Sequence, residues 1–134
     1  MEKVRDSAPV LEALADALGA DALRTDPDDL VHWGRDWTRT HDPAPLAIAF
    51  PRSTEEVRAI VGLANEYGVA LVPSGGRTGL SGGAVAARGE IVVSMDRMRR
   101  IHGVDPVSRL LRCEAGATTA EVQAAAREAG LFYP

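Results

Sequence analysis

The residues best suited to chemistry lie in one stretch. "PSGGRTGLSGG", Pro73 to Gly83, holds five of the chain's thirteen glycines in eleven residues. Glycine inside regular structure is destabilising by roughly 0.5–1 kcal/mol relative to alanine, so this density points to a use for bare backbone. Two familiar phosphate loops do not fit. A P-loop needs Gly-x-x-x-x-Gly-Lys-Ser/Thr, and the stretch has no lysine. A dinucleotide fingerprint needs Gly-x-Gly-x-x-Gly opening a helix. Here the glycines fall at 75, 76, 79, 82 and 83, and the strand-like run "EIVVS" follows. A third arrangement does fit: consecutive N–H groups of a glycine-rich turn can converge on an anion. Gly75, Gly76 and Gly79 let backbone approach closely, and Ser74, Thr78 and Ser81 add hydroxyls. Arg77 adds a guanidinium that can fork onto phosphate oxygens. The set suits a pyrophosphate. A plain glycine-rich connection between two strands is the other reading these residues allow.

The remaining reactive side chains form no comparable pattern. His32, His41 and His102 sit in no motif and are expected at the surface or in loops, so no catalytic residue is assigned. Trp33 and Trp37, four residues apart, would share a helical face and pack as an anchor. "DPDD", Asp26 to Asp29, lacks the glycine and terminal glutamate of a calcium loop and reads as a helix N-terminus. "RMRR", Arg97 to Arg100, reads as a solvated turn, and Met95 and Met98 as packing residues. Cys113 is the only cysteine, which excludes an intramolecular disulfide and a cysteine-based zinc site. It suits a reducing compartment, and a cytoplasmic location is expected. No metal site is expected.

The elements that must position the glycine stretch follow from periodicity. With 134 residues, 46% hydrophobic and 25% charged, the composition is that of an ordinary globular domain. A net charge of −4 gives no global field for nucleic acid. No apolar run approaches the ~18–20 residues of a membrane span, and "MEKVRDSAPV" has no signal-peptide core. Residues 1–41 read as a helical lead-in. Its first helix would be capped by Ser7, face inward with Leu11, Leu14 and Leu18, and stop at Gly19. A short helix runs from "TDPDDL" toward Trp33, and "THDPAP" is a loop.

Residues 42–134 read as a second unit. "LAIAF" is a strand. "RSTEEVRAIVGLANEYG" is a helix with Ser53 and Glu56 as a capping box, Val57, Ile60, Val61 and Ala64 inward, and Gly68 as its stop. "VALV" is the next strand, making a βαβ unit with a parallel pair. "EIVVS" and "RLLRCEA" follow as strands joined by a turn through Gly103 and Asp105-Pro106. "TTAEVQAAAREAG" is a helix boxed by Thr118 and Glu121, with Val122, Ala125, Ala126 and Ala129 inward and Gly130 as its stop. "LFYP" opens a further strand, cut at its fourth residue, so the chain is expected to be the N-terminal part of something longer.

Taken together, these segments resemble a family. "PSGGRTGLSGG" is similar to the pyrophosphate loop of the vanillyl-alcohol oxidase/p-cresol methylhydroxylase-type (PCMH-type) FAD-binding domain. "AFPRSTEEVRAIVGLANEYGVALVP" resembles that domain's opening βαβ, and "GEIVVSMDRMRRI", "EAGATTAEV" and "GLFYP" resemble its next elements in order, from about Pro45 to Pro134. "RDWTR", Arg35 to Arg39, resembles the bacterial branch of FAD-linked D-2-hydroxy-acid dehydrogenases, which act on D-2-hydroxyglutarate, D-lactate or glycolate. The resemblance implies an α+β fold with a mixed sheet, the first lobe of the domain behind a helical arm. It implies that Ser74, Gly75, Gly76, Arg77, Thr78 and Gly79 wrap the FAD pyrophosphate and that Gly83 and Ala84 continue the contact, with Met95 and Met98 beside the flavin. Some relatives attach flavin through a histidine where Arg77 stands, so FAD here would be non-covalent. The implied partners are a small 2-hydroxy acid and an electron acceptor. Family members carry a second glycine-rich segment, a cap domain and a histidine near the flavin beyond the "FYP" segment, so this chain alone is expected to be inactive. Two further readings stay open: an alkyl-glycerone-phosphate synthase-like transferase, and a non-catalytic fragment that binds nucleotide weakly or not at all.

Overall fold

The computed structural model describes residues 7–134; the first six residues of the lead-in lie outside it. In chain order the elements are α1 (Ala8–Leu18), a 3₁₀ turn (Ala20–Ala22), β1 (Leu23–Arg24), α2 (Pro27–Trp33), β2 (Ala47–Ala49), α3 (Thr54–Tyr67), β3 (Leu71–Ser74), β4 (Ile91–Ser94), a second 3₁₀ turn (Met95–Arg97), β5 (Ile101–Asp105), β6 (Leu110–Cys113) and α4 (Thr119–Glu128). The class is the expected α+β with a mixed sheet.

The main sheet runs β1-β2-β4-β3, with β2, β4 and β3 parallel and β1 antiparallel to β2. The strands flanking α3 are therefore parallel but not paired, because β4 is inserted between them. The residue types explain the order. Every residue of β4 is buried, and an unbroken Ile-Val-Val run suits a strand covered on both faces. Strand β3 contains Pro73, which cannot donate to a ladder and belongs on an edge. Side chains alternate between two cores. Ala49, Ile91 and Val93 face Val10, Leu14 and Leu18 of α1 and Ile60 of α3. Ile48, Val92 and Phe50 face the other way, toward Ala86, Leu30 and Trp33. The lead-in helix thus shares a core with the sheet.

Several local expectations are corrected. Ser7 makes no side-chain cap bond, and the inward residue of the first turn is Val10 rather than Leu11. Ser53 caps α3 by accepting from Glu56 N–H at 3.1 Å, but the Glu56 carboxylate reaches one residue further back, to Arg52 N–H at 2.7 Å. Val61 is exposed, and Leu63 packs inward in its place. The strand expected at "VALV" starts two residues later, at Leu71. The expected turn through Gly103 and Asp105 is strand β5, paired antiparallel to β6 with a bulge between Ile101 and Gly103. Gly103 absorbs the bulge at φ 144°. The reversal comes after it, where Asp105 accepts from Val107 N–H at 2.9 Å and from the Ser108 hydroxyl. "LFYP" forms no strand; Leu131 N–H instead closes α4 on Ala126 O at 2.9 Å. Helix α2 ends at Trp33, so Trp37 shares no helical face with it and is exposed.

Candidate functional site

Strands β3 and β4 end side by side, with Ser74 opposite Ser94. The glycine loop leaves from Ser74, at the carboxyl ends of parallel strands, where such sheets bind ligands. Ser74 is 1% exposed, and its Oγ has no hydrogen-bond partner among the described residues. An orphaned buried hydroxyl costs about 1–3 kcal/mol, so its presence at the mouth of this loop calls for a partner from outside the described residues.

Beyond Ser74 the backbone is bare. Among the described residues, the N–H groups of residues 76–81, 83 and 84 donate to no protein acceptor. A Cβ built on Gly75, Gly79 or Gly83 would meet nothing within 4 Å, and one on Gly76 only Thr78 Oγ1 at 4.0 Å. None of these four glycines has positive φ; the left-handed positions of the loop are Arg77 (φ 57°) and Gly82 (φ 75°). Neither backbone conformation nor the chain's own packing therefore requires glycine at 75, 76, 79 and 83. These four glycines stand beside backbone N–H groups with no acceptor among the described residues, donors of the kind a glycine-rich turn can offer an anion. Thr78 and Ser81 are exposed in the same loop, and Ala84 is half-buried at its far side.

Two anchors hold the loop. At its start, Arg77 Nη1 donates to Gly75 O at 3.0 Å and lies 3.5 Å from Asp96 Oδ1. The guanidinium sits 5.8 Å from the centroid of Trp33, whose indole N–H donates to Asp96 Oδ2 at 2.8 Å. Trp33 is set edge-on against Phe50, so the β2 end, α2 and the turn after β4 together fix Arg77. Its Nε and Nη2 find no acceptor among the described residues and are free for an anion. At the other end, Gly82 N–H donates to Asp36 Oδ2 at 2.8 Å, and Ala86 N–H to Gly34 O at 2.9 Å. Gly34 must be glycine, since a Cβ there would lie 2.5 Å from Leu30 O. Asp36 also accepts from Thr38 N–H at 2.9 Å and from the Thr38 hydroxyl. The hydroxyl bond is the main reason its carboxyl is held below the usual aspartate range.

The glycine stretch was visible in the sequence; its anchors were not. Asp36 had a local signal, the Asp-x-Thr spacing of an Asx turn, but nothing local linked it to Gly82, 46 residues on. Gly116 had none: its Cβ would fall 1.8 Å from Met95 O, a backbone approach only the fold creates. The other candidates fall as follows. His32, His41 and His102 are exposed, and Asp26 caps α2 by accepting from Asp28 N–H at 3.0 Å. Met98 is buried, and Met95 packs on the α1–α3 core. "RMRR" is not simply a solvated turn. Arg97 donates to Asp21 O at 2.9 Å and lies over Phe50, while Arg99 donates to Glu121 at 2.7 Å. Among the described residues no His/Cys/Asp/Glu group could hold a metal, and no helix is long and apolar enough to cross a membrane.

The fold is an α+β lobe with a glycine loop leaving the carboxyl ends of its parallel strands, the place where such sheets bind ligands. Residues 45–134 match the FAD binding domain family, and the chain belongs to that family. It is 54% identical over 126 residues to the D-2-hydroxyglutarate dehydrogenase of Xanthomonas citri pv. viticola, covering 94% of this chain and 27% of that protein. To the D-2-hydroxyglutarate dehydrogenase of Stutzerimonas stutzeri it is 54% identical over 110 residues, 82% of this chain and 24% of the relative. The chain thus spans about a quarter of the length of these curated relatives. Among solved structures, an alkyldihydroxyacetonephosphate synthase superposes with a TM-score of 0.83 at 21% identity, covering 97% of this chain and 26% of that one. Substrate-bound p-cresol methylhydroxylase gives 0.79 at 22%, covering 92% and 25%. These likenesses show the fold, that of the first part of a PCMH-type domain.

Proposed function

We propose that this chain is the pyrophosphate-holding part of a flavoprotein that oxidises a D-2-hydroxy acid, with D-2-hydroxyglutarate, D-lactate and glycolate as the substrate class. The observation that carries the reading is the set of four glycines, 75, 76, 79 and 83, that nothing in the chain's own conformation requires. Bare Cα positions beside unpaired N–H groups fit a dinucleotide's diphosphate. In this reading the N–H groups of residues 76–79, with those of Gly83 and Ala84, donate to phosphate oxygens. Ser74 Oγ gains the partner it lacks, and the free edge of the Arg77 guanidinium supplies positive charge. FAD, when bound, supplies the acceptor for the hydride leaving the substrate's α-carbon. This chain's residues hold and orient the cofactor, and none of them is offered as the catalytic group. Arg77 has no nucleophilic ring nitrogen to bond the flavin, and we read the attachment as non-covalent. Electrons pass on to a separate acceptor, and the setting is cytoplasmic. The alkyldihydroxyacetonephosphate synthase shares the fold at 21% identity, but 54% identity to D-2-hydroxyglutarate dehydrogenases favours the hydroxy acid.

The test is a titration of FAD into the full-length apoprotein. Gly76→Val and Gly79→Val should each weaken binding by at least about tenfold, since a β-branched side chain fills the space the phosphates need. Apoprotein melting should stay within a degree or two, because that space is otherwise empty. Equal losses of melting temperature and affinity would make the loop structural. A wild-type protein that holds no flavin, or that holds it but oxidises none of the three acids with an artificial acceptor, would overturn the corresponding half of the reading.

A further inference from the structure

Asp36 is 5% exposed and lies in the lead-in, outside the matched residues 45–134. Its carboxylate divides its labour. Oδ1 takes both Thr38 donors and closes the turn after α2, while Oδ2 takes the Gly82 N–H at 2.8 Å. Gly82 is the first residue of the glycine loop after residues 76–81 whose N–H finds a protein acceptor. Val85 N–H, the next, closes on Gly82 O at 3.2 Å. Residues 78–81 are therefore suspended between two attachments, Arg77 at one end and the Asp36–Gly82 bond at the other.

The sign of the charge makes the arrangement informative. A carboxylate close to a cradle for phosphate opposes anion binding by simple Coulomb repulsion. A buried carboxylate in that place must contribute something that outweighs the repulsion, and the geometry supplies one candidate. We propose that Asp36 is a positioning residue: by fixing Gly82 it pre-sets the open N–H groups of the loop in the arrangement that receives the diphosphate. This rests on the flavin reading above. Without the bond, the loop would have to be ordered during binding, which lowers affinity.

Asp36→Asn separates the two effects in the full-length protein. It removes the charge and keeps the shape, but a single carbonyl oxygen cannot serve both Thr38 and Gly82. If charge dominated, FAD would bind more tightly. Positioning requires the opposite: a rise in the FAD Kd of about tenfold, together with loss of hydrogen-exchange protection in the apoprotein confined to the Gly82 and Val85 amides. Thr38→Val, which removes only the hydroxyl bond to Oδ1, should leave both readouts near wild type. An unchanged or lowered Kd in Asp36→Asn overturns the proposal, as does deprotection spread across the whole domain. If wild type binds no FAD the flavin reading fails, and local deprotection at Gly82 would then show Asp36 ordering the loop for some other ligand.

Discussion

Arg77 occupies a left-handed backbone position, φ 57°, that glycine would adopt more easily. A non-glycine residue there costs about 1–2 kcal/mol, and its side chain must offset that through Gly75 O, Asp96 and the Trp33 face. Two substitutions separate backbone from side chain. Arg77→Ala should weaken FAD binding by roughly 1.5–3 kcal/mol, the scale of a charge-assisted hydrogen bond. Arg77→Gly should weaken it similarly, yet leave the apoprotein about 1 kcal/mol more stable than the alanine variant, because the strain is relieved. Flavin titration and thermal melting of both variants check this; unchanged affinity in both would remove Arg77 from the site. At this scale the sequence was legible where a residue's reason is local. The glycine run stood out by its density alone, with an anion-binding turn and a plain connection as its two readings. The roles of Asp36 and Asp96 could not, since their partners at Gly82 and Trp33 are 46 and 63 residues away.

Helix α4 shows how an element is tied down by its own first turn. Thr118 accepts from Glu121 N–H, and Glu121 accepts from Thr118 N–H at 2.7 Å and its hydroxyl at 2.9 Å, completing the expected capping box. Arg99 adds a third donor at 2.7 Å. The Thr118 backbone bond foremost, then Arg99, pulls the Glu121 carboxyl down to about 2 from 4.5. A depressed folded-state value means that the unfolded chain binds the proton more readily, so this contribution is complete above about pH 4.5 and lost as pH falls toward 2. Melting temperature should therefore drop across that window, and Glu121→Gln should flatten the slope. Thr118→Ala should cost about 1 kcal/mol at neutral pH; a pH profile identical in wild type and Glu121→Gln would show that the box does not couple to stability. Helices α3 and α4 were legible because caps and 3.6-residue periodicity are local signals. Strand β5 was not: "IHGVD" has no clean alternation and carries the glycine that makes its bulge.

For the molecule as a whole, the sequence conveyed the α+β class and mixed sheet better than the strand order. Local pattern showed that the strands around α3 run the same way, but not that β4 would separate them; that follows from burial on both faces of β4 and from Pro73 in β3. The order β1-β2-β4-β3 also has a consequence for synthesis. A ribosome releases β2, α3 and β3 before the strand that joins them exists outside the exit tunnel. Until Ile91–Ser94 emerges, neither β2 nor β3 has its parallel neighbour, and the glycine loop is an open tether with no ends to hold. Closing a loop of this length carries an entropic cost that only the β4 contacts repay. Arrested nascent chains with residues up to 90 exposed should thus remain protease-sensitive. Chains exposing residues up to about Gly116, whose backbone seats on Met95 and Met98, should gain resistance in a single step; gradual protection beginning at β3 would show that the α3 unit folds without its central strand. The glycine loop is then among the last parts of this region to take shape, and translation passes it well before both its ends are held.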